Sequence, residues 1–345
     1  MDHKAQSNSN NLFRKLGIFI AIGICVHILF VLYTTDREML QTVKTLHLRY
    51  IFLIMVLMAI PWLGYAFRVW FWSKFFGEKI GYLDCLKIVV TAEVASALSP
   101  TAVGGAPVKA ALLLNRGFMA KNVGFLLTYG MIEDLVFYTL GLILSTFFSE
   151  ALVMKVAHSV GNFVHVNIIP LAILIFLVGL YLFLYYNKKL PKFFKLGNYL
   201  PKTYYARFYK FKSNLLASLT EMKSAFGMAL KHGKWRMFFS FSILLLQWLS
   251  KFTVLLVLLH AFHIDFDVIQ VYVRQWFVYI TMLFIPTPGA SGGAEASFLL
   301  IFGHSIPSKL SYLVVSMWRF FTYYYVLISA LVIYLGISYR DQISK

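Results

Sequence analysis

Nine charged residues lie inside long apolar stretches of the 345-residue chain: the acids Glu93, Glu133, Asp134 and Glu295, and the bases Arg68, Lys109, Lys251, Arg274 and Arg319. In hydrocarbon each costs roughly 2.5–3.5 kcal/mol unless paired or hydrated, so such residues mark ligand sites, proton paths or internal ion pairs. Arg319 lies about ten residues inside its apolar stretch and Glu133 about twelve inside its own. At about 1.5 Å per helical residue both are near mid-depth, where snorkelling to the interface does not reach. Arg68, close to the end of its stretch, reads as an interface anchor. Lys251 and Arg274 read either as binding groups or as halves of structural ion pairs.

Two of the apolar stretches, Tyr82–Asn115 and Val268–Gly303, are interrupted by Gly/Pro clusters: SPTAVGGAP at Ser99–Pro107 and PTPGASGG at Pro286–Gly293. Each predicts a helix, a break and a half-helix. Proline favours the first position of a helix, which places one half-helix start at Pro107, after Gly104 and Gly105, with Lys109 in its first turn. The other starts at Gly292-Gly293, with Glu295 in its first turn. Free N–H groups and the positive dipole end make such starts anion sites, and a phosphate-bearing headgroup is the natural ligand. Glu295 either faces that ligand or caps its own helix. These considerations make Gly104, Gly105, Lys109, Glu133, Asp134, Arg274, Gly292, Gly293, Glu295 and Arg319 the candidate substrate-binding residues. No catalytic residue is assigned.

Gly289-Ala290-Ser291-Gly292-Gly293 fits G-x-S-x-G, but a nucleophile elbow needs a strand-to-helix turn that an apolar helical chain does not offer. An intramembrane serine hydrolase would need a histidine base on another helix, and Leu310–Ile337 has none. The nine histidines show no H-x-x-x-H or H-E-x-x-H spacing, so neither metal nor cofactor is expected. Cys25 and Cys85 form no CxxC pair and read as packing residues.

The elements that must position these groups follow from composition. With 60% hydrophobic and 13% charged residues and a mean hydropathy of +0.73, a water-soluble domain is excluded. Six stretches are long enough to cross a bilayer: Leu16–Tyr33, Tyr50–Trp72, Val123–Phe148, Ile168–Tyr186, Met237–Ala261 and Leu310–Ile337. The first carries no small-residue cleavage site and reads as a span rather than a removable leader. The net charge of +18 is concentrated in Asn187–Arg236, where twelve Lys/Arg face one acid, Glu221. The positive-inside rule makes that loop cytoplasmic, with both termini on the same side. Its interleaved Lys, Tyr and Phe suit RNA stacking, but an amphipathic segment on anionic lipid (Lys188–Arg236) explains them more simply, and no nucleic-acid partner is expected.

Alternation around this loop makes Tyr82–Asn115 begin and end inside, and Val268–Gly303 begin and end outside. Both are then re-entrant hairpins. Span, span, hairpin, span (16–148) is followed by span, span, hairpin, span (168–337), and Gly104-Gly105-Ala106 matches Gly292-Gly293-Ala294 at an offset of 188. The expected architecture is an all-α integral membrane protein, one polytopic domain over 1–345, with six full spans and two re-entrant broken-helix hairpins arranged as an inverted repeat. Inverted halves with broken helices at equivalent positions point to transport. The bland alternative is that the small residues only let helices pack closely.

The sequence resembles the transmembrane-region family of lysylphosphatidylglycerol synthases, the flippase-like half of the bacterial multiple peptide resistance factor. The likeness is carried by Ala102–Lys109, by Glu133-Asp134, by PTPGASGGAEASF at Pro286–Phe298 and by MWRFFTYY at Met317–Tyr324. It implies a lipid translocase in the bacterial cytoplasmic membrane that moves an aminoacylated phosphatidylglycerol outward and gives resistance to cationic antimicrobial peptides. Other phospholipids, glycolipids and polyprenyl-phosphate lipids are alternative cargoes. The synthases append a soluble aminoacyl-transferase domain, whereas Ser338–Lys345 alone follows the last predicted span, so lysyl transfer is not expected of this chain. Two other readings remain open: a membrane enzyme of lipid metabolism, and a scaffold for a partner synthase or glycosyltransferase docking on the basic loop. Oligomeric state is left open as well.

Overall fold

The computed structural model describes residues 47–99, 104–148, 223–283, 285, 287, 289–303 and 305–343. The predicted spans Leu16–Tyr33 and Ile168–Tyr186 lie outside these residues, as does most of the basic loop. Among the described residues every regular element is helical. Four helices are long and apolar enough to cross a membrane. α1 is Leu48–Phe75, α4 is Ala120–Phe148 and α5 is Lys234–Ala261. The fourth, Leu310–Arg340, is composite: α8 (Ser308–Arg319), a π turn (Phe320–Tyr324) and α9 (Tyr325–Ile343). These match the four remaining predicted spans to within a few residues.

Both Gly/Pro clusters interrupt a helix as expected. α2 (Tyr82–Leu98) is followed by the short α3 (Gly105–Asn115), and α6 (Val268–Leu283) by the short α7 (Gly293–Phe302). Each short helix packs back on its predecessor. α3 begins two residues earlier than Pro107, which sits third in the helix. The first amides of a helix have no intrahelical acceptor, so proline forfeits no bond there either. Glycine at 104 and 105 is required by closeness: a Cβ would fall 2.7 Å from the Ala95 carbonyl oxygen and 2.8 Å from that of Ala92, respectively.

α1 and α5 pair along much of their length. Pro61 lies inside α1 and cannot donate to the Leu57 carbonyl. The Ser250 hydroxyl of α5 donates to that carbonyl instead, and Gln247 Nε2 donates to the Pro61 carbonyl at 2.8 Å. Lipid offers no donor for a freed backbone group, so a neighbouring helix has to supply one. Large side chains such as Phe52, Leu63, Leu135 and Phe147 remain exposed, as expected of surfaces solvated by acyl chains. Residues 223–232, the end of the basic segment, are helical and bury Ala225 and Ala229 against the α1–α2–α4 core. Arg236 then donates to the Phe71 carbonyl at 2.9 Å, near the end of α1.

Candidate functional site

The charges at membrane depth sort into two interior groups and one outlier. The first group lies between α1, α3, α4 and α5. Arg68 of α1 pairs with Glu133 of α4, and both side chains are almost fully buried. Its Nε donates to the Ser240 hydroxyl and its Nη1 to Gln247 Oε1, each at 3.3 Å. Arg68 is therefore an interior residue and not the interface anchor expected from its depth along the helix. Lys109 is 3% exposed, and its ammonium donates to the Tyr65 hydroxyl at 3.0 Å while lying 4.3 Å from the Tyr65 ring centroid.

Beside this network is a cavity of about 190 Å³ lined by Tyr65, Arg68, Glu93, Asp134, Gln247 and Lys251, among others. Glu133, Asp134 and Gln247 occupy the midpoints of their spans. Glu93, Asp134 and Lys251 form no ion pair among the described residues. Lys251 rests on aromatic faces instead, 4.9 Å from the Trp248 centroid and 5.6 Å from that of Tyr279. The cavity thus presents two carboxylates and one ammonium whose charges are not neutralised by an ion pair. A headgroup carrying both signs is the chemistry that complements such a lining. Glu93 and Lys251 belong to the intramembrane charges visible in the sequence, but nothing local distinguishes them as cavity-lining.

The second group surrounds the break between α6 and α7. Glu295 Oε2 accepts the Gly292 amide at 2.7 Å, capping α7, while Oε1 receives Arg319 Nε at 3.1 Å. Of the two sequence readings of Glu295, the cap is the one its hydrogen bonds fit, and the same carboxylate neutralises Arg319. Arg319 also donates through Nη2 to the Gly289 carbonyl and lies 4.3 Å from the Tyr323 centroid. Gly292 and Gly293 form the start of α7, so the carboxylate of Glu295 occupies the position expected for a bound anion. The start of α3 is likewise engaged, the Gly104 amide donating to the Ser99 hydroxyl at 2.7 Å. Ser291 sits in a turn that follows a helix rather than a strand, which is not the setting of a nucleophile elbow.

Arg274 is the outlier. It bonds the Ser305 hydroxyl and lines a different cavity, of about 220 Å³, with Asp265 and Asp267 near the α5–α6 junction. The ten residues expected to form one substrate site are therefore distributed over four places, that of Arg274 being one. Lys109, Glu133 and Asp134 adjoin the central cavity, Gly104 and Gly105 belong to the first break, and Gly292, Gly293, Glu295 and Arg319 form the second. Tyr65, Glu93, Gln247 and Lys251 are the additions made by three-dimensional proximity.

Comparison with known proteins finds relatives among membrane proteins. A UPF0104 membrane protein from Archaeoglobus fulgidus is 24% identical over 313 residues, spanning 90% of this chain and 92% of that relative. The family described as the lysylphosphatidylglycerol synthase TM region matches residues 16–330, which include every candidate residue above. The chain belongs to the lysylphosphatidylglycerol synthase TM-region family.

Proposed function

We propose that this membrane protein translocates a phosphate-bearing lipid between leaflets, accepting its headgroup in the cavity between α1, α2, α4 and α5. The observation that carries this reading is the mixed lining of that cavity: Glu93, Asp134 and Lys251 share it without forming an ion pair, and Asp134 lies at mid-span. Charges held there without a counter-charge are costly, and a ligand that neutralises them offsets the cost. An ammonium on the headgroup complements the two carboxylates, and its phosphate complements Lys251 with Lys109 nearby. An aminoacylated phosphatidylglycerol of the lysyl type has both groups, and its outward movement would lower surface negative charge and resist cationic antimicrobial peptides. Arg319 and Glu295 act as the frame of the second break rather than as direct ligands.

In the same reading α2–α3 and α6–α7 are re-entrant hairpins entering from opposite faces of the cytoplasmic membrane. The twofold occurrence of long helix, broken pair, long helix supports that arrangement. The test is reconstitution in phosphatidylglycerol vesicles containing lysylphosphatidylglycerol in one leaflet. Appearance of its amine in the other leaflet is followed with a membrane-impermeant amine reagent. Accelerated exposure relative to protein-free vesicles is expected. Equal rates with and without protein, for this lipid and for phosphatidylethanolamine, would refute the assignment.

A further inference from the structure

Tyr323 touches both broken hairpins at once. α2 ends at Leu98, so its last carbonyls have no intrahelical donor. One of them, on Ala97, accepts the Tyr323 hydroxyl at 3.1 Å, across 226 positions of sequence. The ring of the same residue lies beside the second break. A Cβ on Gly289, whose φ is +59°, would fall 2.2 Å from that ring, so only glycine lets turn and ring approach this closely. The ring face also covers the Arg319 guanidinium, which itself holds the Gly289 carbonyl and Glu295.

Tyr323 reaches this position from a π turn. Phe320–Tyr324 interrupts the last span directly after Arg319, and the Tyr325 amide bonds back five residues to Phe320. A π turn holds one residue more than the α-helix needs, and such turns recur at functional sites. Returning this segment to α-helical register would rotate the downstream helix against Arg319 by about 100°. It would also draw the hydroxyl away from Ala97. A π turn able to relax to α-helical register is the kind of element that converts a small shift into a switch.

We infer that Tyr323 is the positioning residue that keeps the two breaks in step during translocation, its hydroxyl holding the first and its ring the second. This rests on the translocase reading above. Because the hydroxyl contacts backbone and not the central cavity, its loss acts on the rate of the conformational step and not on headgroup binding.

The test compares Tyr323→Phe and a variant with p-aminophenylalanine at 323, which retains a donor, in full-length protein reconstituted with lysylphosphatidylglycerol as probe lipid. The Phe variant is expected to translocate about tenfold more slowly, the effect of one hydrogen bond made in only one conformer. The probe concentration giving half-maximal rate stays unchanged, and the amino variant recovers most of the rate. A Phe variant at the parent's rate overturns the inference, as does a parallel change in rate and half-saturation. A Phe variant that fails to fold also overturns it, since the hydroxyl is then a structural cap. If the parent chain itself moves neither this lipid nor phosphatidylethanolamine, the translocase reading is what fails.

Discussion

Glu295 and Arg319 close a ring around the second break: Arg319 Nε lies 3.1 Å from Glu295 Oε1, while Oε2 of that carboxylate holds the Gly292 amide at 2.7 Å. One side chain therefore starts α7 and neutralises a guanidinium that is only 2% exposed. Breaking a buried pair leaves the surviving charge uncompensated, at a cost of about 3–5 kcal/mol, whereas removing both charges costs far less. Arg319→Ala is accordingly expected to lower the thermal midpoint in detergent markedly. Arg319→Met with Glu295→Gln should recover most of the loss. A single variant as stable as the parent would contradict this role for Arg319.

The central cavity separates groups by whether they already have partners. Glu93→Gln and Asp134→Asn remove carboxylates that form no ion pair, so each is expected to slow lipid movement at least about tenfold without lowering stability. Glu133→Gln behaves in the opposite sense, leaving Arg68 buried without its counter-charge and lowering the thermal midpoint. Parallel translocation and melting measurements on the three variants check the contrast. Equal stability losses for all three would show that Glu93 and Asp134 are structural.

These contrasts also mark what the sequence conveys. The spans are legible because only length and apolar composition are needed to fill a bilayer, and the breaks because Gly and Pro interrupt them. Glu295 is legible as a cap because its partner amide is three residues away. Arg68 is misread because position along a helix gives depth, not direction, and its partner Glu133 lies 65 residues distant. The π turn has no local signature in MWRFFTYY, and the two residues it sets against Gly289, Arg319 and Tyr323, are far from that glycine in sequence. Glu93 and Lys251 become a site only when α2, α4 and α5 are placed side by side.

Close packing between α4 and α6 makes Gly141 a sensitive position. A Cβ there would lie 2.1 Å from the Trp276 indole, so Gly141→Ala forces the ring to move, at about 1–3 kcal/mol. Gly336 in α9 has no atom within 4 Å of its Cβ direction, and Gly336→Ala is expected to be neutral or slightly stabilising. Thermal denaturation of the two variants side by side tests the packing, and a loss confined to Gly336→Ala would contradict it.

Pro61 and Ser250 are expected to be energetically coupled. Ser250→Ala leaves the Leu57 carbonyl without a donor, at about 1–3 kcal/mol. In a Pro61→Ala background the helix regains its own N–H for that carbonyl, so the same Ser250 substitution should cost much less. A double-mutant cycle on thermal stability measures the difference, and strict additivity would show that the hydroxyl does not replace the missing amide.

The debt that Pro61 leaves in α1 is settled by α5, and this governs which parts of the molecule can travel. Sliding α1 past α5 would strand the Leu57 carbonyl in a solvent of acyl chains that cannot donate to it. In the proposed translocase, the α1–α5 pair is therefore the stator. On that reading, displacements that carry cargo past it belong to the two broken hairpins and to the last span, with the π turn as its hinge.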